Sequence, residues 1–126
     1  MRAKFSRSWK SSKSPRKQRK YIHNIPKNLA KKLLSANLSK ELRKKYHKRN
    51  VPLRKGDKVK VMNGKFKGKV EKISKVLPNL QKVYLENIYN VRKDGTKTLS
   101  PIHPSNLQIA ELSLEDISRK KLIERK

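Results

Sequence analysis

Lysine and arginine crowd the first 55 residues so densely that phosphate binding is the chemistry they suit. Residues 1–55 hold 20 Lys or Arg and a single acid, Glu41. Runs such as Arg16-Lys17-Gln18-Arg19-Lys20 and Arg43-Lys44-Lys45 repel themselves in water. On a polyanion the same runs displace condensed counterions and bind. The rest of the chain carries 16 basic and 8 acidic groups, so about +19 of the formal +27 sits in the first part. Among the cations Arg2, Lys4, Arg7, Lys10, Lys13, Arg16, Lys17, Arg19 and Lys20 lie the rings of Phe5, Trp9, Tyr21 and His23. Such rings stack on unpaired bases while the cations hold the backbone. They can equally pack on the protein's own domain, and the residues alone leave both readings open.

Catalysis has no comparable support. The nine carboxylates are scattered, mostly beside lysines, and none pairs with a second acid at a spacing suited to acid–base work. His23, His47 and His103 fall in separate predicted elements. Without cysteine there is no disulfide framework and no thiolate zinc site. Ser105 follows His103-Pro104, yet adjacency in a Pro-bounded turn does not orient a nucleophile on its base. The reading is therefore a non-enzyme without cofactor, metal or small-molecule substrate.

No apolar run approaches the ~18 residues of a membrane span, and no apolar core of a secretory signal is present. The first 20 residues are Ser-rich, basic and acid-free, which is also the composition of a mitochondrial presequence. Phe5 and Trp9 are the only apolar pair there at helical spacing, and Pro15 interrupts a helix. A nucleic-acid-binding tail of a cytoplasmic protein is the reading adopted.

The elements that must position these groups follow from period and punctuation. Residues 1–24 are too charged and too poor in apolar groups to offset their ordering entropy, and are expected as an extended basic arm. Residues 25–50 are expected as two short basic helices. Pro26 opens the first, with Leu29, Leu33 and Leu34 on one side and Lys27, Lys31 and Lys32 on the other. Ser39 caps the second, in which Leu38, Leu42 and Tyr46 recur at helical spacing opposite Arg43, Lys44, Lys45, Lys48 and Arg49. A basic amphipathic helix also suits a membrane surface or a calmodulin-type partner. The thin apolar stripe, and a basic excess that runs beyond it, favour nucleic acid.

From Val51 the period changes. A turn at Arg54-Lys55-Gly56-Asp57 precedes alternation at Val59 and Val61. Val70, Ile73 and Val76 predict a second strand, whose spacing by three requires a bulge or bend. Val83, Tyr84, Leu85 and Ile88 predict a third, Lys93-Asp94-Gly95-Thr96 a hairpin into a fourth at 97–99, and Leu107 and Ile109, with Leu112 as an optional last member, a fifth. Five short strands in about 60 residues, 51–112, predict a small SH3-like barrel whose core is marginal by surface-to-volume scaling. Residues 113–126 are expected as a C-terminal helix capped by Ser113 with Asp116 three residues on. The fold class is mainly β with short flanking helices.

The segment Lys55-Gly-Asp-Lys-Val-Lys-Val-Met-Asn-Gly-Lys-Phe-Lys-Gly-Lys-Val70 resembles the KOW motif of RNA-associated SH3-like barrels. Its loop sets Lys65, Phe66, Lys67 and Lys69 on a turn whose glycines expose backbone N–H groups to phosphate. Ser35-Ala-Asn-Leu-Ser-Lys-Glu-Leu-Arg-Lys-Lys-Tyr46 resembles the pattern S-x-x-L-S-K-E-L-R-x-K-Y. Ser14-Pro-Arg-Lys-Gln-Arg-Lys20, Asp94-Gly-Thr96, Ile102-His-Pro-Ser-Asn106 and Arg119-Lys-Lys-Leu-Ile-Glu-Arg125 resemble further parts of the same family in order. Together they resemble the archaeal and eukaryotic form of one large-subunit ribosomal protein, the L-twenty-four or L-twenty-six family.

The resemblance implies a monomer within the ribosome that binds the first domain of large-subunit rRNA early in assembly and stays near the peptide exit tunnel. Neighbouring large-subunit proteins would be its other partners. Candidate rRNA contacts are the arm cations, Trp9, Tyr21, His23, Lys31, Lys32, Arg43, Lys44, Lys48, Arg49, Arg54, the 65–69 loop and His103. The family commonly has glycine where this chain has Glu71, which implies a backbone there that is awkward for a residue with a Cβ. A transcription elongation factor is the alternative raised by the KOW element, although the 50 residues before the barrel are too short and basic for a polymerase-contacting domain. A small DNA-binding chromatin protein is a third possibility, separable by competition between structured RNA and DNA.

Overall fold

The computed structural model describes residues 5–6 and 12–125. Four helices and eight strands follow one another: Pro15–Asn24 (α1), Lys27–Leu33 (α2), Ser35–Leu38 (β1), Lys40–Tyr46 (α3), Asn50–Pro52 (β2), Lys58–Val61 (β3), Val70–Leu77 (β4), Lys82–Leu85 (β5), Tyr89–Val91 (β6), Lys97–Leu99 (β7), Leu107–Glu111 (β8) and Ile117–Glu124 (α4). A 3-10 turn, Pro104–Asn106, precedes β8.

The main sheet has six strands in the order β2-β1-β8-β3-β4-β5, with β6-β7 as a separate hairpin. The five-stranded barrel expected from the sequence is thus replaced by an open sheet. Two causes are visible. Residues 86–101 leave the sheet as the β6-β7 hairpin, and only the bridge between Val83 and Ile102, bonded at 2.9 Å in both directions, links β5 to the chain leading into β8. On the other side two more strands are added, β1 within the stretch expected as two short helices and β2 where that stretch ends. In β1, Ala36 and Leu38 are buried while Asn37 is exposed, a two-residue period that pairs antiparallel with β2 and parallel with β8. Leu38 therefore belongs to a strand and not to the stripe of the second helix. Pro52, which has no N–H to give a ladder, lies in β2 at the sheet edge.

The core holds Leu34, Leu38, Val51, Val59, Val61, Ile73, Val83, Leu85, Ile88, Leu107, Ile109 and Ile123, each at most 2% exposed. Burying side chains of this size contributes about 1.5–3 kcal/mol apiece against exposure. The bulge expected in the second strand is present: the β4-β5 register shifts between Ile73 and Lys75, and Ser74 Oγ donates to the Tyr84 carbonyl at 3.1 Å.

Other expectations shift. Residues 15–24 are helical and not extended, with Pro15 in the first turn, where its missing N–H costs nothing. Ala30 and Leu34 are buried around α2 while Leu33 is 49% exposed, so the inward face is rotated from the predicted leucine side. Ser39 does cap α3, accepting from the Leu42 N–H. The last helix begins at Ile117 with Asp116 as its cap, accepting from the Ser118 N–H at 2.8 Å. Arg54 donates to Asp116 as well, and that bond, with the Ser118 contact, holds the Asp116 carboxyl below its ordinary value. Ser113 is released for another task, described below.

Glu71 lies in extended β4 opposite Val59 and outside the positive-φ positions, so the awkward backbone expected there is absent. Its carboxylate accepts from Asn87 Nδ2 at 3.2 Å, and Asn87 itself sits at φ 56°. Glu71→Gly is expected to destabilise by about 0.5–1 kcal/mol, the ordinary cost of glycine within a regular element. Urea denaturation measures it, and equal or higher stability would show that Glu71 is strained after all.

Candidate nucleic-acid interface

The basic surface is built on helices in the first third of the chain and on one loop of the sheet. Arg16, Lys17, Arg19 and Lys20 are exposed on α1, with Lys13 just before it and His23 near its end. No acid occupies the first turn of α1, and none of its residues is buried. Inside the arm, the rings of Phe5 and Tyr21 meet with centroids 5.1 Å apart and planes tilted 38°. These two rings therefore pack on each other, a third outcome beside base stacking and packing on the sheet domain. Arg2, Lys4, Arg7, Trp9 and Lys10 lie outside the described residues.

Lys31 and Lys32 are exposed on α2, as is Lys44 on α3 and Arg49 beyond it. Three candidates also have work within the fold. Arg43 Nε donates to the Leu38 carbonyl at 2.9 Å, Lys48 Nζ donates to the Leu122 carbonyl at 2.5 Å, and Arg54 pairs with Asp116. Ion pairs among the described residues are three, Arg54–Asp116, Lys58–Glu111 and Arg119–Asp57, and none involves a cation before Arg54. The positive charge of the helical region is therefore not balanced by ion pairs among the described residues.

The loop between β3 and β4 presents Lys65, Lys67 and Lys69, all exposed, around a half-buried Phe66 that packs on the core. The Lys65 and Lys69 ammonium groups lie 5.8 and 5.5 Å from the Phe66 ring centroid. Such contacts are worth about 0.5–1 kcal/mol at exposed sites. Gly64 and Gly68 sit at φ +93° and +89°, which a side chain would strain. Their N–H groups are occupied, Gly64 on Asn63 Oδ1 at 2.9 Å and Gly68 on the Val61 carbonyl at 2.8 Å. The glycines thus shape the loop, and phosphate would meet lysine ammonium groups in place of the glycine amides expected from the sequence. His103, beside the 3-10 turn, accepts from the Ser105 N–H at 3.3 Å and shares a 2.8 Å contact with Ser105 Oγ, so its Nδ1 stabilises that turn.

A family model that describes the eukaryotic ribosomal proteins L-twenty-six and their archaeal L-twenty-four counterparts matches residues 12–126. The chain belongs to this family. It is a structural constituent of the large ribosomal subunit, binds rRNA and lies among other ribosomal proteins. The family is structural and not enzymatic. The match spans every helix and strand, so it covers far more than the KOW loop, on which alone the elongation-factor alternative rested.

One feature of this ribosomal protein was not anticipated. Asp57 is fully buried and Arg119 is 2% exposed. Arg119 Nη1 donates to Asp57 Oδ1 at 2.5 Å and Nη2 to Oδ2 at 2.6 Å, a bidentate pair. The same guanidinium reaches the Ser113 and Pro52 carbonyls at 2.9 and 3.2 Å, while Asp57 accepts from the backbone N–H groups of Arg54 and Ser113. Arg119 Nε is buried without a partner. The pair joins the turn before β3, the end of β2 and the start of α4. An acid in a Lys-Gly-Asp turn is the sequence signal, but its partner lies 62 residues away.

Proposed function

We propose that this protein binds the first domain of large-subunit rRNA early in assembly of the cytoplasmic ribosome and remains beside the peptide exit tunnel. The family resemblance supports the choice of domain, the timing and the location. The observation that carries the binding mode is the helical surface of α1 to α3, whose cations have no carboxylate partner among the described residues. Phosphates would take Lys13, Arg16, Lys17, Arg19, Lys20, Lys31, Lys32, Lys44 and Arg49 as counterions, releasing condensed salt. Lys65, Lys67 and Lys69 would hold a second RNA segment at the β3-β4 loop, and His103 stands beside it. Held at two places, the RNA segments would be fixed relative to each other. The protein would act by this bridging and not by turnover.

Binding to transcripts of separate large-subunit rRNA domains tests the proposal. The intact protein is expected to prefer the first-domain transcript. The variant K65A/K67A/K69A should bind it more weakly, with the slope of log affinity against log salt reduced by about 2–3, at 0.7–0.9 per phosphate contact. Its stability should fall by no more than about 1–2 kcal/mol, the two ammonium contacts with the Phe66 ring, because the three side chains are otherwise exposed. Equal affinity for every domain, or an unchanged slope, would contradict the proposal.

A further inference from the structure

Between the β3-β4 loop and the chain that turns into β8 lies an open cleft of about 270 Å³. That is room for far more than a single water. Phe66 gives it an apolar side, and the buried Val61 and Ile102 also line it. Around that side stand the amides of Asn63, Asn90 and Asn106, with Lys65, Lys82 and His103. The side-chain amides of Asn90 and Asn106 make no hydrogen bond among the described residues, although the backbone carbonyls of both are engaged. Asn63 Oδ1 is taken by the Gly64 N–H, which leaves its NH2 as a donor. His103 uses Nδ1 in the 3-10 turn, and its Nε2 has no partner among the described residues.

We propose that this cleft takes a single unpaired nucleotide extruded from the bound RNA, whose base edge is read by Asn90 and Asn106. The inference rests on the rRNA-binding reading above and adds to it a place of base recognition. Each amide offers two donors and an acceptor on one planar group, the complement of a base edge. Phosphate alone would engage Lys65 and Lys82 and leave the amides and the ring without a function. Bases within a duplex are stacked and cannot enter, so the ligand is a nucleotide from a loop, bulge or junction. The α1 surface differs: its exposed Arg16, Lys17, Arg19 and Lys20 offer charge, which positions RNA without reading it.

Ultraviolet crosslinking of the full chain to large-subunit rRNA from the source cells, followed by digestion and mass spectrometry, tests this. One nucleotide is expected on Phe66 or His103, with one base dominant. In N90A/N106A the excess of that base should fall about tenfold or more. The salt slope and thermal stability should not change, because neither residue is charged and Asn90 is exposed. Binding with an unchanged slope but adducts confined to α1, or an N90A/N106A variant that keeps the base preference, would overturn the cleft proposal alone. Failure of the intact protein to bind rRNA would overturn both readings.

Discussion

Asp57→Ala is expected to destabilise the protein by about 3–5 kcal/mol, the cost of breaking a buried pair by removing one partner. Arg119 would remain 2% exposed with its charge uncompensated, and the N–H groups of Arg54 and Ser113 would lose their acceptors. A small domain has about 5–15 kcal/mol in total, so the loss is a large fraction of the stability and brings a domain at the low end of that range close to unfolding. Asp57→Ala combined with Arg119→Met removes the orphan charge and should recover part of the loss. Recovery stays incomplete because the two backbone N–H groups still lack partners. Urea denaturation of the single and double variants measures this. A single-variant loss below about 1 kcal/mol would show that the pair is dispensable, as ion pairs at exposed sites usually are.

The second large effect concerns RNA. Arg16, Lys17, Arg19 and Lys20 stand on exposed α1 with no carboxylate partner among the described residues. Replacing all four by Ala is expected to lower the salt slope of rRNA binding by about 3–4, at 0.7–0.9 per lost contact. Stability should move by no more than about 0.5 kcal/mol for each exposed substitution. Titrations at several salt concentrations would check it. An unchanged slope would mean that α1 lies away from the RNA backbone, whatever its charge.

These two predictions draw on opposite kinds of legibility. The α1 cations, the Ser39 cap, the alternation of Val59 and Val61 and the bulge near Ser74 are local features, and period or composition displayed them. The Asp57–Arg119 pair depends on two residues far apart in the chain, which no local pattern connects. β1 was hidden for a different reason: Leu38 is in step with Leu42 and Tyr46, so a helical period absorbed a residue that tertiary pairing with β8 places in a strand. The open sheet was not legible because the hydrophobic pattern of 82–102 does not show which part stays in the sheet and which leaves as a hairpin. At the loop, the lysines were legible from Lys65 onward. That both glycine N–H groups are satisfied internally was not, because Asn63 Oδ1 and the Val61 carbonyl compete for them only in the folded turn. Helix α1 formed against its composition, with help from the Phe5–Tyr21 contact and the bond from Gln18 Nε2 to the Ser12 carbonyl at 2.6 Å.

The central claim, that the chain is an integral rRNA-binding component of the large subunit, is tested most directly by sedimentation. Cell extract containing the native protein is run through a sucrose gradient at moderate and at high salt. The expected result is co-migration with large subunits that persists at high salt. Protein left at the top of the gradient, or travelling with polymerase or chromatin, would contradict the account.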